Sequence, residues 1–237
     1  MNLVFITGGS RGLGAALLER FRAAGWTAVD LSRSGAGADH LAVDLGDLDS
    51  SIDAVAALFA ERAQAGWEHA ALINNAATVA PIGPLHRLED SAIARSLDIN
   101  MAAGARVIAA FVRAFQAAPG RRTVANISSG AANKANIGWS LYCAAKAGME
   151  QFINVLAMEQ AASANPIVCV NIDPDLIDTN MQREIRSATQ ADFPAAERFI
   201  QYRQSGRLRS PDAVAAAIQA ILLGEPEQGR RYAIADV

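Results

Sequence analysis

Two residues with complementary chemistry, Tyr142 and Lys146, stand four positions apart in a stretch, Ser140–Ala162, that predicts a long helix. On a helix that spacing puts both side chains on one face. A free tyrosine titrates at about 10 and exchanges protons poorly near neutrality. A neighbouring ammonium favours the phenolate and lowers that value, which makes the pair a candidate for general acid–base chemistry. Ser128 and Ser129 lie where the predicted strand Thr123–Ser128 ends. A hydroxyl there could hydrogen-bond a carbonyl oxygen and stabilise the charge that grows on it during reduction.

A second segment with chemical potential is Thr7-Gly8-Gly9-Ser10-Arg11-Gly12-Leu13-Gly14. It joins a predicted strand, Leu3–Thr7, to an Ala/Leu-rich helix running from Gly12 to about Ala24, with Gly25 as its stop. Gly8 can supply a tight turn, Gly12 leaves the backbone open to a pyrophosphate, and Gly14 lets the helix pack closely on the strand. The helix start adds free N–H groups and a positive dipole end. A glycine triplet is informative because it stands between a strand and a helix. Its spacing, TGxxxGxG, is not the common GxGxxG fingerprint.

These groups need a scaffold. Further strands are predicted at Thr27–Ser32, Leu41–Val43, Ala70–Asn74, Ile167–Ile172 and Tyr232–Ala235. Helices are predicted at Leu48–Gln64, Ser91–Ile99 and Ala102–Ala118, and from the Ser210-Pro211-Asp212 cap onward. Strand–helix alternation implies an α/β fold, a doubly wound parallel sheet of about seven strands with helices on both faces. No repeat or linker divides residues 1–237, and the 51% hydrophobic content suits one core. Asp175–Gly206 has weak helical pattern and mixed charge, and segments of that length are usually functional.

The motifs together resemble the short-chain dehydrogenase/reductase family. Thr7-Gly8-x-x-x-Gly12-x-Gly14 looks like its cofactor loop, and Asn74-Asn75-Ala76-Ala77 resembles its NNAG motif with Ala77 in place of glycine. Asn100, Ser129, Tyr142 and Lys146 fall where its catalytic residues would be, Ser129 being favoured over Ser128 by its thirteen-residue distance from Tyr142. The resemblance implies a single-domain Rossmann fold and hydride transfer to or from a nicotinamide cofactor. Tyr142 would donate the proton, and Lys146 would also hold the nicotinamide ribose. Asn100 would bend its helix and hold a water in a relay to Lys146. Ser10, Arg11, Leu13, Asn75, Ala76 and Ala77 would line the cofactor, and Asp44-Leu45 resembles the adenine-contacting pair. Pro174-Asp175-Leu176-Ile177-Asp178-Thr179 resembles the PGxxxT segment, whose Pro174, Ile177 and Thr179 would meet the nicotinamide end. Asp175 replaces the usual glycine there, which suggests a locally altered loop.

Ser32 occupies the position where relatives that prefer NAD tend to carry an acid, Arg33 follows it, and Arg11 adds a second guanidinium. Arginines suit a 2′-phosphate, so NADP(H) is the expected cofactor. Asp30 would oppose this if the strand ended early. The stretch from Ser128 through Gly138-Trp139-Ser140-x-Tyr142-Cys143 resembles a subgroup containing benzil and sepiapterin reductases. That implies a small-molecule carbonyl substrate. Trp139, Leu141 and Cys143 could line its pocket, with Asp175–Gly206 as a lid. Oxidation of a secondary alcohol, reduction of a 3-oxoacyl thioester, or silent cofactor binding are the alternatives. The family implies a homodimer or homotetramer through Ala102–Ala118 and Ser140–Ala162.

The net charge of -3 gives no electrostatic reason to expect nucleic acid or an anionic membrane. Cys143 and Cys169 share no metal-ligand spacing with His40, His69 or His86. Neither a disulfide framework nor a signal peptide is expected, and no stretch approaches the roughly 20 apolar residues of a membrane span. A cytoplasmic setting is therefore expected.

Overall fold

The computed structural model describes residues 1–236. Its strands are β1 (Asn2–Thr7), β2 (Thr27–Ser32), β3 (His40–Ala42), β4 (His69–Asn74), β5 (Arg121–Ile127), β6 (Val168–Asp173) and β7 (Arg231–Ala233). They form one sheet in the order β3-β2-β1-β4-β5-β6-β7, and every pairing is parallel. Strand order reverses between β1 and β4. Connections leave in opposite directions there, and a crevice opens beyond the carboxyl ends of those strands.

Alternate β1 residues serve two cores. Val4 and Ile6 pack with α1 (Gly12–Ala23) and α8 (Pro211–Leu223) on one face. Leu3 and Phe5 pack with α2 (Ile52–Ala63), α4 (Ala103–Phe115) and α5 (Ser140–Ala161) on the other. Burial on both faces explains why these strands read as unbroken apolar runs. Phe5 meets Phe59 edge-on at 4.6 Å, and Phe111 stacks on Phe115 at 4.5 Å. At the start of α8 the Ser210 hydroxyl accepts from the Ala213 N–H at 3.1 Å, with Pro211 at the first turn.

Three boundaries depart from expectation. Residues 90–115 form one continuous helix where two were expected: α3 (Asp90–Leu97) runs into α4 through a π turn at Asp98–Ala102. No Gly or Pro interrupts those five residues. Leu48–Ser50 is a separate 3-10 turn ahead of α2. The weakly patterned Asp175–Gly206 segment contains two short helices, α6 (Asn180–Ser187) and α7 (Ala196–Gln204). Their apolar residues enter a third cluster, among them Ile185 from α6 and Phe199 from α7. Among the described residues no helix is long and apolar enough to cross a membrane.

His69, at the start of β4, is 6% exposed and packs against the Trp26 ring. Its Nε2 is 2.9 Å from the Thr123 hydroxyl. Burial pushes its pKa down to about 4, with the Arg121 charge acting the same way. The unfolded chain therefore binds the extra proton first, and stability falls as pH drops from about 6.5 toward 4. Urea unfolding should show a loss of about 2–3 kcal/mol between pH 7 and 4.5 from this residue. His69→Gln should flatten that window, and an unchanged slope would remove His69 as the cause.

Candidate active site

The crevice beyond β1 and β4 is a groove of about 630 Å³. Gly8, Ser10, Arg11, Gly12, Leu13, Gly14, Ser32, Arg33, Asp44, Leu45, Asn75, Ala76, Ala77, Tyr142, Lys146, Pro174, Ile177 and Thr179 all line it. Every expected cofactor position thus falls on one surface. Sequence reasoning missed several groove residues, among them Leu31, Ser34, Val43, Thr78, Arg95 and Ile99. Ser34 and Val43 adjoin expected positions, whereas Arg95 and Ile99 arrive from α3 and its π turn and carry no local motif.

The glycine loop is built for close approach. Gly8 and Gly12 have φ of 69° and 56°, in the left-handed region that glycine accepts without cost. A Cβ on Gly14 would lie 2.2 Å from the Gly8 carbonyl oxygen. A Cβ on Gly12 would meet only Thr179, at 3.4 Å, so the groove stays open over the start of α1. Asn75 locks the loop: its Nδ2 donates to the Thr7 carbonyl at 2.9 Å, and its backbone N–H donates to the Thr7 hydroxyl at 2.9 Å. This cradle of glycines and free helix-start N–H groups fits the pyrophosphate of a dinucleotide.

Asp30 is a residue of β2, 4% exposed, and its oxygens are engaged. One accepts from the Gly9 N–H at 2.9 Å and the other from the Ser32 hydroxyl at 2.8 Å. It holds the glycine loop from beneath. Arg33, Arg11 and Ser10 are exposed at the groove's rim. Asp44 accepts from the Gly46 N–H at 2.9 Å, and that bond is the main reason its pKa is lowered.

Deeper in, an amide row crosses the sheet. Asn74 Nδ2 donates to Asn126 Oδ1 at 3.0 Å, and Asn126 Nδ2 donates to Asn171 Oδ1 at 2.9 Å. It levels the ends of β4, β5 and β6. Asn126 and Asn171 were missed because an amide inside an apolar strand gives no signal until the register is known. Asn100, in the π turn, accepts from the Thr78 N–H at 2.8 Å and donates to the Thr78 carbonyl at 2.9 Å. A π turn inside a helix is a recurrent device near functional sites. Here it carries Asn100 to the loop that follows Asn75–Ala77.

Tyr142 and Lys146 line the inner end of the groove with Ile127 and Ser128, and Ser129 stands beside Tyr142 without lining the groove itself. The Ser129 side chain acts on Tyr142, pulling its pKa down, and its Oγ accepts from the Ala131 N–H at 3.1 Å. Ser128 is instead buried, and its hydroxyl donates to Glu150. That leaves Ser129 as the serine facing the tyrosine. Lys146 Nζ donates to the Ile127 carbonyl at 2.7 Å and lies 5.8 Å from the Tyr142 ring centre. Burial pushes Lys146 down to about 8 against the Asp173 and Glu150 carboxylates. Burial pushes the Tyr142 phenol up to about 12, the Ser129 side chain opposing it and Asp173 adding to it. In this arrangement desolvation dominates the phenol, and the ammonium is turned to a backbone carbonyl.

Asp175 takes φ of 59°, the left-handed conformation a glycine would adopt, and its N–H donates to Asp173 Oδ1 at 3.1 Å. The loop thus keeps glycine-type geometry despite the substitution, at the cost that an L residue meets there. Beyond it, Ile177 pairs with Arg209, and Thr179 faces Gly12. On the outer side of Tyr142 lies the third apolar cluster, with Trp139, Ile185, Phe193 and Phe199 at its centre. Trp139 stacks on Phe193 at 4.5 Å and meets the Tyr142 ring edge-on at 5.5 Å. Cys143 packs against this cluster, with its Sγ 3.5 Å from the Lys134 carbonyl.

A parallel doubly wound sheet, a glycine cradle at its switch point and a tyrosine–lysine–serine group beside it define a nicotinamide-dependent oxidoreductase fold. The chain belongs to the short-chain dehydrogenase family, whose profile matches residues 2–190. It is 33% identical to the benzil reductase ((S)-benzoin forming) of Bacillus subtilis (strain 168), covering 99% of this chain and 98% of that one. It is 31% identical to the benzil reductase ((S)-benzoin forming) of Bacillus cereus, over 94% of each chain. Among solved structures, the KRED1-Pglu enzyme superposes with a TM-score of 0.82 at 25% identity, over 98% of this chain and all of that one.

Proposed function

We propose that the protein is an NADPH-dependent carbonyl reductase that passes a hydride to a ketone or vicinal diketone, with Tyr142 as proton donor. The observation that carries this is the placement of Tyr142 and Lys146 at the inner end of a cofactor-shaped groove, with Ser129 beside Tyr142. The nicotinamide would supply the hydride. Ser129 and Tyr142 would both donate hydrogen bonds to the carbonyl oxygen, so that negative charge grows against two fixed donors. Tyr142 would then release its proton to that oxygen. A phenol held up near 12 stays protonated at neutral pH, which suits reduction better than alcohol oxidation. Lys146 would hold the ribose hydroxyls, and Asn100 would fix the neighbouring loop.

The benzil reductase relatives support an aryl-bearing substrate. Helices α6 and α7 supply Ile185 and Phe199 to the aromatic cluster around Trp139, the turn between them supplies Phe193, and this segment would act as the lid over the carbonyl.

NADP(H) follows from the rim. Asp30 is spent on Gly9 and Ser32, while Arg11 and Arg33 stand exposed beside the groove. NADPH oxidation should be fastest with benzil or a related diketone, slower with simple ketones and slowest with 3-oxoacyl thioesters. NADH should be at least about tenfold poorer in kcat/KM, and Arg33→Ala should remove most of that margin, a charged hydrogen bond being worth about 1.5–3 kcal/mol. Equal use of NADH would sink the cofactor assignment, and a thioester preference would sink the substrate class.

A further inference from the structure

One side chain from the C-terminal strand reaches the back of this site. Arg231, the first residue of β7, points its Nε at Glu150 Oε1 and its Nη2 at Asp173 Oδ2, each at 2.8 Å. The two carboxylates are largely covered, with side-chain exposures of 11% and 16%. Glu150 sits one helical turn beyond Lys146 on α5, so Tyr142, Lys146 and Glu150 share one face at four-residue spacing. Glu150 also accepts from the Ser128 hydroxyl, the neighbour of Ser129. Asp173 ends β6, and its other oxygen accepts from the Asp175 N–H at the turn into the Ile177–Thr179 segment. A single guanidinium therefore holds the end of β6 directly and the residue after β5 through Glu150.

Resting on the hydride-transfer reading above, we propose that Arg231 is a positioning residue. It cancels the charge of Glu150 and Asp173 behind Lys146 and Tyr142, and it holds the Ser128–Ser129 and Asp173–Asp175 turns at a fixed separation. A forked guanidinium suits this task, because it can satisfy two carboxylates at once in a fixed plane.

The charged and titratable groups around the pair come from three elements. Glu150 and Cys143 on α5 and Asp173 at the end of β6 act on it directly, and Arg231 of β7 reaches it only through Glu150 and Asp173. The Ile127 carbonyl at the end of β5 and the Ser128 and Ser129 hydroxyls just beyond it are uncharged. Without Arg231 the carboxylates act unopposed. Negative charge favours the ammonium of Lys146 and disfavours the phenolate of Tyr142, so the coupled pair gives up both protons at higher pH. Removing a carboxylate instead leaves Arg231 in excess and moves both steps down.

The test is the pH dependence of benzoin oxidation by NADP+, which rises toward alkaline pH as the coupled Tyr142–Lys146 pair loses its first proton. Arg231→Gln should shift that rise upward by about one pH unit. Arg231→Lys should restore most of the wild-type position. Asp173→Asn and Glu150→Gln should each shift it downward, and these two stand as the test if Arg231→Gln fails to fold. Opposite displacements of the two kinds of variant support the proposal. Rates that fall equally at every pH, or that shift the same way in all variants, overturn it. Failure of the underlying reading shows differently: Tyr142→Phe would then keep its activity whatever Arg231 does.

Discussion

Tyr142→Phe is expected to lower turnover of a diketone by about 10³-fold while leaving the Kd for NADPH nearly unchanged. A positioned general acid contributes about 10²–10⁴-fold. The hydroxyl is also one of two donors proposed to face the growing negative charge, and losing one such donor costs about 10²–10³-fold by itself. The two contributions belong to one atom, so they do not multiply. The substitution removes no ring, and the edge-on contact with Trp139 at 5.5 Å survives. The fold should therefore persist. Because the interaction forms only as charge develops, kcat and kcat/KM should fall together. Steady-state NADPH oxidation and a fluorescence titration with NADPH measure the two halves. Full activity in the variant would refute the role given to Tyr142.

Gly14→Ala is expected to do comparable damage by a different route. In an isolated helix the change would help, since alanine is favoured over glycine by about 1 kcal/mol. The tertiary contact reverses the sign. The added Cβ would lie 2.2 Å from the Gly8 oxygen and 2.8 Å from Asn75 Nδ2. The Gly8 oxygen is backbone and cannot rotate away, so α1 must move off the loop or the loop must open. Overpacking of this kind costs about 1–3 kcal/mol or more. Tm should drop by about 5 °C or more. NADPH affinity should fall by at least about 100-fold, because the distorted loop is the proposed phosphate cradle. Gly25→Ala is the control: its φ is 77°, but a Cβ there meets nothing within 4 Å. It should cost about 1–2 kcal/mol in backbone strain and leave NADPH affinity intact. Similar Kd values for both variants would contradict the cradle.

Local pattern made the fold legible. The buried parallel strands announce themselves as apolar runs, the Ser210-Pro211 cap opens α8 as expected, and Gly25 stops α1 with a left-handed turn. The glycine loop and the Tyr142–Lys146 pair were legible because each is local, one turn or one helix face. Three things were not. The amides of Asn126 and Asn171 matter only once β4, β5 and β6 lie in register. Arg231 lies 81 positions from Glu150, and only the last strand's insertion beside β6 brings them together. The high pKa of Tyr142 is a property of burial, which a helix-face argument cannot supply. Asp175 is the opposite case: the residue type suggested a distorted loop, and the backbone adopted glycine's conformation anyway.

The amide row across the sheet also has a direction. Each asparagine gives from its nitrogen and takes at its oxygen, from Asn74 through Asn126 to Asn171 and on to Asn154 at 3.2 Å. A carboxylate can accept but not donate. An aspartate at Asn126 would therefore still receive Asn74 but could give nothing to Asn171. The injury would be one-sided, loosening β6 and the turn at Asp173 while β4 and the cofactor loop stay fastened. Loss of the middle amide would thus be felt on the substrate side of the groove and not on the nucleotide side.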